Sequence, residues 1–188
     1  MANVNHSSLT DPYLHEPKGV AAASSGKVYV SNGSGSGTWK KAHSNADVYL
    51  DFDATTPAYV HSATTGFTVI NPTLTISTLN DFTSTNSPNA KLTYVGTETL
   101  SANIHISIST SQSTGTNKDV EWMIYKNGSP LSGAHVIRTI SSGTWGSVAL
   151  LGNSLLSTSD YLEIYSKIST ASNVSYASIF WTVKGLPV

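Results

Sequence analysis

Ala102-Asn103-Ile104-His105-Ile106-Ser107-Ile108-Ser109 alternates apolar and polar side chains without a break. Successive side chains of an extended chain point to opposite faces, so Ile104, Ile106 and Ile108 fall on one side and His105, Ser107 and Ser109 on the other. This is the pattern of a half-buried strand. Val120, Trp122 and Ile124 repeat it. Tyr125-Lys126-Asn127-Gly128-Ser129 follows, and its Asn-Gly pair supplies the positive φ angles of a tight hairpin. Leu162, Ile164 and Ile168 line another inward face. The final strand, expected from Val174 to Lys184, is apolar on both sides, with Tyr176 and Phe180 opposite Ile179, Trp181 and Val183. Such a strand needs something packed against each face.

Further strands are expected at Lys27–Val30, Val48–Phe52, Gly66–Ile70, Leu74–Leu79, Leu92–Val95, Val136–Ile140 and Val148–Leu151. Gly, Pro, Asn and Ser separate them at short intervals, and no stretch carries a capped 3.6-residue period. Many short strands spaced in this way predict an all-β fold, an antiparallel jelly-roll sandwich.

Composition points the same way. Of the 188 residues 11% are charged, against about 25% in an average domain, and Ser and Thr fill more than a quarter of the positions. Thr suits a pleated surface, whereas the good surface helix formers Glu, Lys, Gln and Arg are scarce. A net charge of −1, with no dense Lys or Arg cluster, gives no footprint for nucleic acid. The absence of Cys removes disulfides, thiolate metal sites and Cys nucleophiles together. No run of 18 apolar residues or basic-then-apolar leader is present, so no membrane insertion is expected.

The chain changes character near residue 45. Residues 1–45 contain Asp11-Pro12, Glu16-Pro17, the Ala21–Gly26 stretch of small residues and the run Asn32-Gly33-Ser34-Gly35-Ser36-Gly37. Only Lys27–Val30 reads there as a strand, and the glycine run reads as a flexible loop or hinge. Such a segment has too few large apolar residues to bury a core of its own. The expected division is an extended N-terminal attachment arm, residues 1–45, and a jelly-roll head, residues 46–188.

The block Leu9-Thr10-Asp11-Pro12-Tyr13-Leu14-His15-Glu16-Pro17-Lys18-Gly19-Val20, followed by Gly26-Lys27-Val28-Tyr29-Val30 and the glycine run to Trp39, resembles an N-terminal module of tailed-bacteriophage structural proteins of the head-fibre or tail-fibre type. The resemblance covers about a fifth of the chain. It implies a virion protein, assembled in the host cytoplasm, whose arm contacts the major capsid protein or another virion protein through Tyr13, Leu14, His15, Pro17, Val20, Val28, Tyr29 and Trp39. Residues 90–186 are similar to the trimeric jelly-roll heads of the tumour-necrosis-factor and complement-C1q type: the Ile-rich strand, the Lys126-Asn127-Gly128 hairpin, Leu156–Ile164 leading into a strand, and the aromatic last strand. That resemblance implies a homotrimer. Its shared core is expected around Tyr176, Phe180 and Trp181, because the last strand is apolar on both faces.

Catalytic and metal chemistry finds little support in the residues. His15-Glu16 lacks the second His of a helical zinc motif, and Pro17 would stop that helix. The histidines His6, His43, His61, His105 and His135 are scattered, and nothing selects one of them. Asp47, Asp51 and Asp53 share one face of Asp47-Val48-Tyr49-Leu50-Asp51-Phe52-Asp53, but without the glycine-turned spacing of a calcium loop a solvated strand face explains them. The glycine run fails the dinucleotide pattern at its sixth position, and there is no Gly-x-Ser-x-Gly elbow. No cofactor, metal or catalytic residue is expected, and the protein is expected not to be an enzyme. Trp122 and Trp181 read as core, while Trp145, in Gly143-Thr144-Trp145-Gly146, is a candidate receptor contact.

These readings predict a trimeric capsid decoration (cement) or head-fibre protein. A small tail-fibre tip or adhesin binding a host-surface glycan or protein is the competing expectation. Length separates the two, because a fibre reaching a host needs heptads or a repeat stack as a shaft and this chain has neither.

Overall fold

A computed structural model of the chain describes residues 23–31, 33–34, 37–50, 57–112 and 115–188. Its contacts divide the chain into two compact units between Ala42 and His43. The described part of the first unit is a β-hairpin of β1 (Lys27–Ser31) and β2 (Gly37–Lys41). Tyr29 stands directly opposite Trp39 in its register, and their rings meet edge to face at 5.3 Å. The glycine run, read as a loop or hinge, joins these strands, and Gly37 already belongs to β2, opposite Ser31.

The second unit contains β3 (Ser44–Leu50), β4 (Tyr59–Ala63), β5 (Thr68–Val69), β6 (Thr75–Asn80), β7 (Phe82–Thr85), β8 (Lys91–Tyr94), β9 (Leu100–Gln112), β10 (Lys118–Lys126), β11 (Ser129–Ile140), β12 (Gly146–Leu156), β13 (Tyr161–Ile168) and β14 (Ser172–Pro187). One sheet runs β12-β9-β14-β3-β6, with β4 also on β14; the other runs β11-β10-β13-β8-β7, with β5 also on β13. Every named strand pairing is antiparallel. Among the principal strands the chain crosses from one sheet to the other at each step from β8 to β14, except at the β10–β11 hairpin, and the first and last, β3 and β14, lie side by side. This winding is a jelly roll.

The Ile-rich stretch lies in β9 as its alternation predicts. Ile104, Ile106 and Ile108 are buried against Trp122, Ile124, Leu162 and Ile164 of the facing sheet. Asn127 and Gly128 have φ angles of 51° and 74° and connect Lys126 to its partner Ser129, the two-residue turn expected there.

Strands β2, β4 and β7 escaped the sequence pattern. Trp39 is the one large apolar residue in β2, as Phe82 is in β7, and β4 places a histidine, His61, at a buried position. The register of β14 corrects a second reading. Tyr176 is opposite Thr110 and Ser178 is opposite Ser109, so Ala177 is an extra residue in the strand. A bulge of this kind reverses the inward parity beyond it. Tyr176 therefore points inward with Ile179, Trp181 and Val183, all fully buried, while Phe180 faces out.

Candidate functional site

The outer face of the β12-β9-β14-β3-β6 sheet is built from side chains that alternation turns away from the core. Register places them in rows across the strands. One row is Tyr49, Phe180, Ser107 and Ala149, and the next is Asp47, Thr182, His105 and Leu151. Phe180 is 49% exposed and Leu151 60%. Asp47 is the one carboxylate in these two rows, and it accepts hydrogen bonds from Thr182 Oγ1 and from Asn45 Nδ2 (3.3 Å). These two rows mix exposed apolar side chains with Ser107, Thr182 and His105 and carry a single carboxylate, and depletion of charge around exposed apolar groups is a feature of interfaces.

The opposite sheet presents a different face. Tyr125 and Tyr165 stack at 3.9 Å, Lys167 Nζ lies 4.6 Å over the Phe67 ring, and Lys91 Nζ lies 4.9 Å over Tyr161. Glu121 pairs with both His135 (2.6 Å) and Lys167 (2.8 Å). The aromatic rings of this face are thus already engaged by one another or by ammonium groups.

The candidate residues scatter over these surroundings. Tyr13, Leu14, His15, Pro17 and Val20 lie outside the described residues, as do His6, Asp51 and Asp53. Val28 and Tyr29 of β1 and Trp39 of β2 lie in the hairpin unit, Val28 exposed and the two rings half-buried. Tyr176 and Trp181 are fully buried among their own chain's strands and have no surface left for a partner, because the bulge turns both inward. Of the three residues expected at a trimer contact, only Phe180 is accessible. Trp145 is exposed in the turn between β11 and β12. His61 is buried, with Nε2 2.9 Å from Thr68 Oγ1, and burial lowers its pKa. His105 sits in the middle of the apolar face, and His43 lines a cleft at the end of that face.

Among the described residues no group of three or more His, Cys, Asp or Glu side chains could hold a metal ion. No helix of the described residues is long and apolar enough to cross a membrane.

No family model matches the chain, and no curated protein matches it in sequence. Similar solved structures include the Eiger TNF of S. frugiperda, 11% identical over 77% of this chain and 95% of that one, with a TM-score of 0.46. Murine APRIL at pH 5.0 is 12% identical over 77% and 99% (TM-score 0.47), and murine APRIL at pH 8.5 is 11% identical over 76% and 98% (TM-score 0.47). The jelly-roll assignment rests on the strand winding described above.

Proposed function

We propose that this chain is a non-enzymatic structural component of a tailed-bacteriophage particle: a homotrimeric capsid decoration or head-fibre protein. In this reading the jelly roll self-associates through the Phe180–Leu151 face, and residues N-terminal to His43 attach the protein to the shell. The observation that carries the assembly half is the outward placement of Phe180 and Leu151, both about half exposed or more, beside the half-buried Tyr49 in two rows with a single carboxylate, set against the ion-paired outer face of the other sheet. The attachment half is supported by the Leu9–Val20 block and its resemblance to phage structural modules, together with the division of the chain between Ala42 and His43.

The test is a chain beginning at His43, which keeps the buried Ser44, Asn45 and Ala46 of β3 in place. It should sediment as a trimer yet fail to decorate particles lacking the native protein, while the full chain binds them. Decoration by the shortened chain would move attachment into the jelly roll. A monomer at micromolar concentration would remove the assembly half.

A further inference from the structure

Beyond the Asp47–Leu151 row lies a third row that crosses all five strands of the same sheet. Asn80, Asn45, Lys184, Asn103 and Asn153 stand opposite one another in succession. The next outward positions are Leu186 and Ser101, again directly paired. Here the surface forms a cleft of about 550 Å3, lined by His43, Asn45, Asp47, Ser101, Asn103, Lys184, Gly185, Leu186 and Val188. That volume lies within the range of about 300–1,000 Å3 usual for small-molecule sites.

The chemistry of the lining limits what the cleft could hold. Asp47 and Lys184 contribute one negative and one positive charge and His43 an ionisable imidazole, so the lining has no strong excess of either sign. The Asn45 and Asn103 amides and the Ser101 hydroxyl each combine donors with acceptors. Among the described residues the side chains of Lys184, Asn103 and Ser101 have no hydrogen-bond or ion-pair partner, so their polar atoms are available to a guest. Leu186 and Val188, both more than half exposed, add an apolar wall. No aromatic ring lines the cleft, so a planar base has nothing to stack on.

We infer that this cleft binds a neutral saccharide, its hydroxyl or N-acetyl groups bonded to Asn103, Lys184, Ser101 and Asn45 and its C–H face laid on Leu186 and Val188. The site is made within one protomer and goes beyond the assembly reading, on which it does not depend. It also differs from the exposed Trp145 turn, the surface that the sequence alone offers for a receptor.

The experiment titrates the full-length, isotope-labelled protein with tetramers of N-acetylglucosamine and of glucose, and with sialyllactose as an anionic probe, following backbone amide shifts. One of the neutral tetramers should shift Ser101, Asn103, Lys184 and Leu186 saturably. Asn103→Ala and Lys184→Ala, both exposed positions, should each weaken it about tenfold, the effect of losing about 1.4 kcal/mol. Trp145→Ala should leave binding unchanged. No shift with either neutral tetramer up to about 10 mM in both the wild type and Phe180→Asp, tighter binding of sialyllactose, or shifts confined to the Trp145 turn would each overturn the inference. Running the titration in Phe180→Asp as well separates the two proposals: binding only by that variant, once it is dissociated, supports the cleft and shows that assembly covers it. Absence of binding in both proteins removes the cleft and leaves the assembly reading standing.

Discussion

The indole Nε1 of Trp122 donates a 3.1 Å hydrogen bond to the hydroxyl of Tyr176, joining β10 of one sheet to β14 of the other through the centre of the sandwich. Both side chains are fully buried, and burial raises the Tyr176 pKa well above its ordinary value. The bond satisfies two polar groups that would otherwise be stranded among apolar neighbours.

Tyr176→Phe should therefore destabilise the protein by about 1–3 kcal/mol, the cost of an unsatisfied buried donor. Trp122→Phe/Tyr176→Phe should cost less than the sum of the single variants. Urea unfolding of the three variants checks this, and additivity would mean that the bond contributes nothing specific.

The buried His61 makes stability depend on pH. Its folded pKa lies below the ordinary 6.5 because burial disfavours the imidazolium, so the unfolded chain binds the proton more readily. The contribution of neutral His61 is complete above about pH 6.5 and is lost as pH falls through the folded pKa. His61→Gln should flatten the decline in denaturant midpoint below pH 6.5. An unchanged slope would assign the decline to other groups.

Asp160 fixes the approach of β13 to the β10–β11 turn. Its carboxylate accepts from Asn127 Nδ2 at 2.6 Å and from the Ser157 amide at 2.8 Å, and it pairs with Lys126 at 2.8 Å. Burial works to raise its pKa, but the bonds from Lys126, Asn127 and Ser157 outweigh that and leave it lowered. Asp160→Asn should lower thermal stability at pH 7, by about 1–2 kcal/mol. The deficit should shrink as the solution is acidified below the ordinary carboxylate pKa of 3.8, because the wild-type carboxylate then loses its own advantage.

Gly128→Ala tests the turn itself. A Cβ there would meet nothing closer than the Tyr161 hydroxyl at 3.7 Å, so sterics with neighbours are not the obstacle. The φ of 74° is, and it should cost about 1–2 kcal/mol. A neutral result in chemical unfolding would show that the turn relaxes into another conformation.

Phe180→Asp is the assembly variant. Because its side chain already faces outward, the substitution should leave the unfolding midpoint of the isolated protomer within about 0.5 kcal/mol. If the proposed trimer forms through this face, the variant should sediment as a monomer where the wild type sediments as a trimer. Retention of the trimer would place the contact on another face.

The sequence by itself determined the class of fold and most of its strands. Strand alternation has a period of two residues, and Ile104-His105-Ile106-Ser107-Ile108 cannot satisfy it in any other register without burying His105. The Asn127-Gly128 turn was equally legible, since few residue pairs accept two successive positive φ angles. The tertiary structure decided what alternation does not encode. Ala177 is an ordinary residue in the sequence, yet as a bulge it moves Tyr176 to the same face as Trp181 and leaves Phe180 alone outside. Asn45, Asn103 and Lys184 are distant in the chain and become neighbours only because β3, β14 and β9 pair in one particular register. A cross-strand row is a property of several segments at once, fixed by how their apolar faces close together on the core, and no local reading of any one of them contains it.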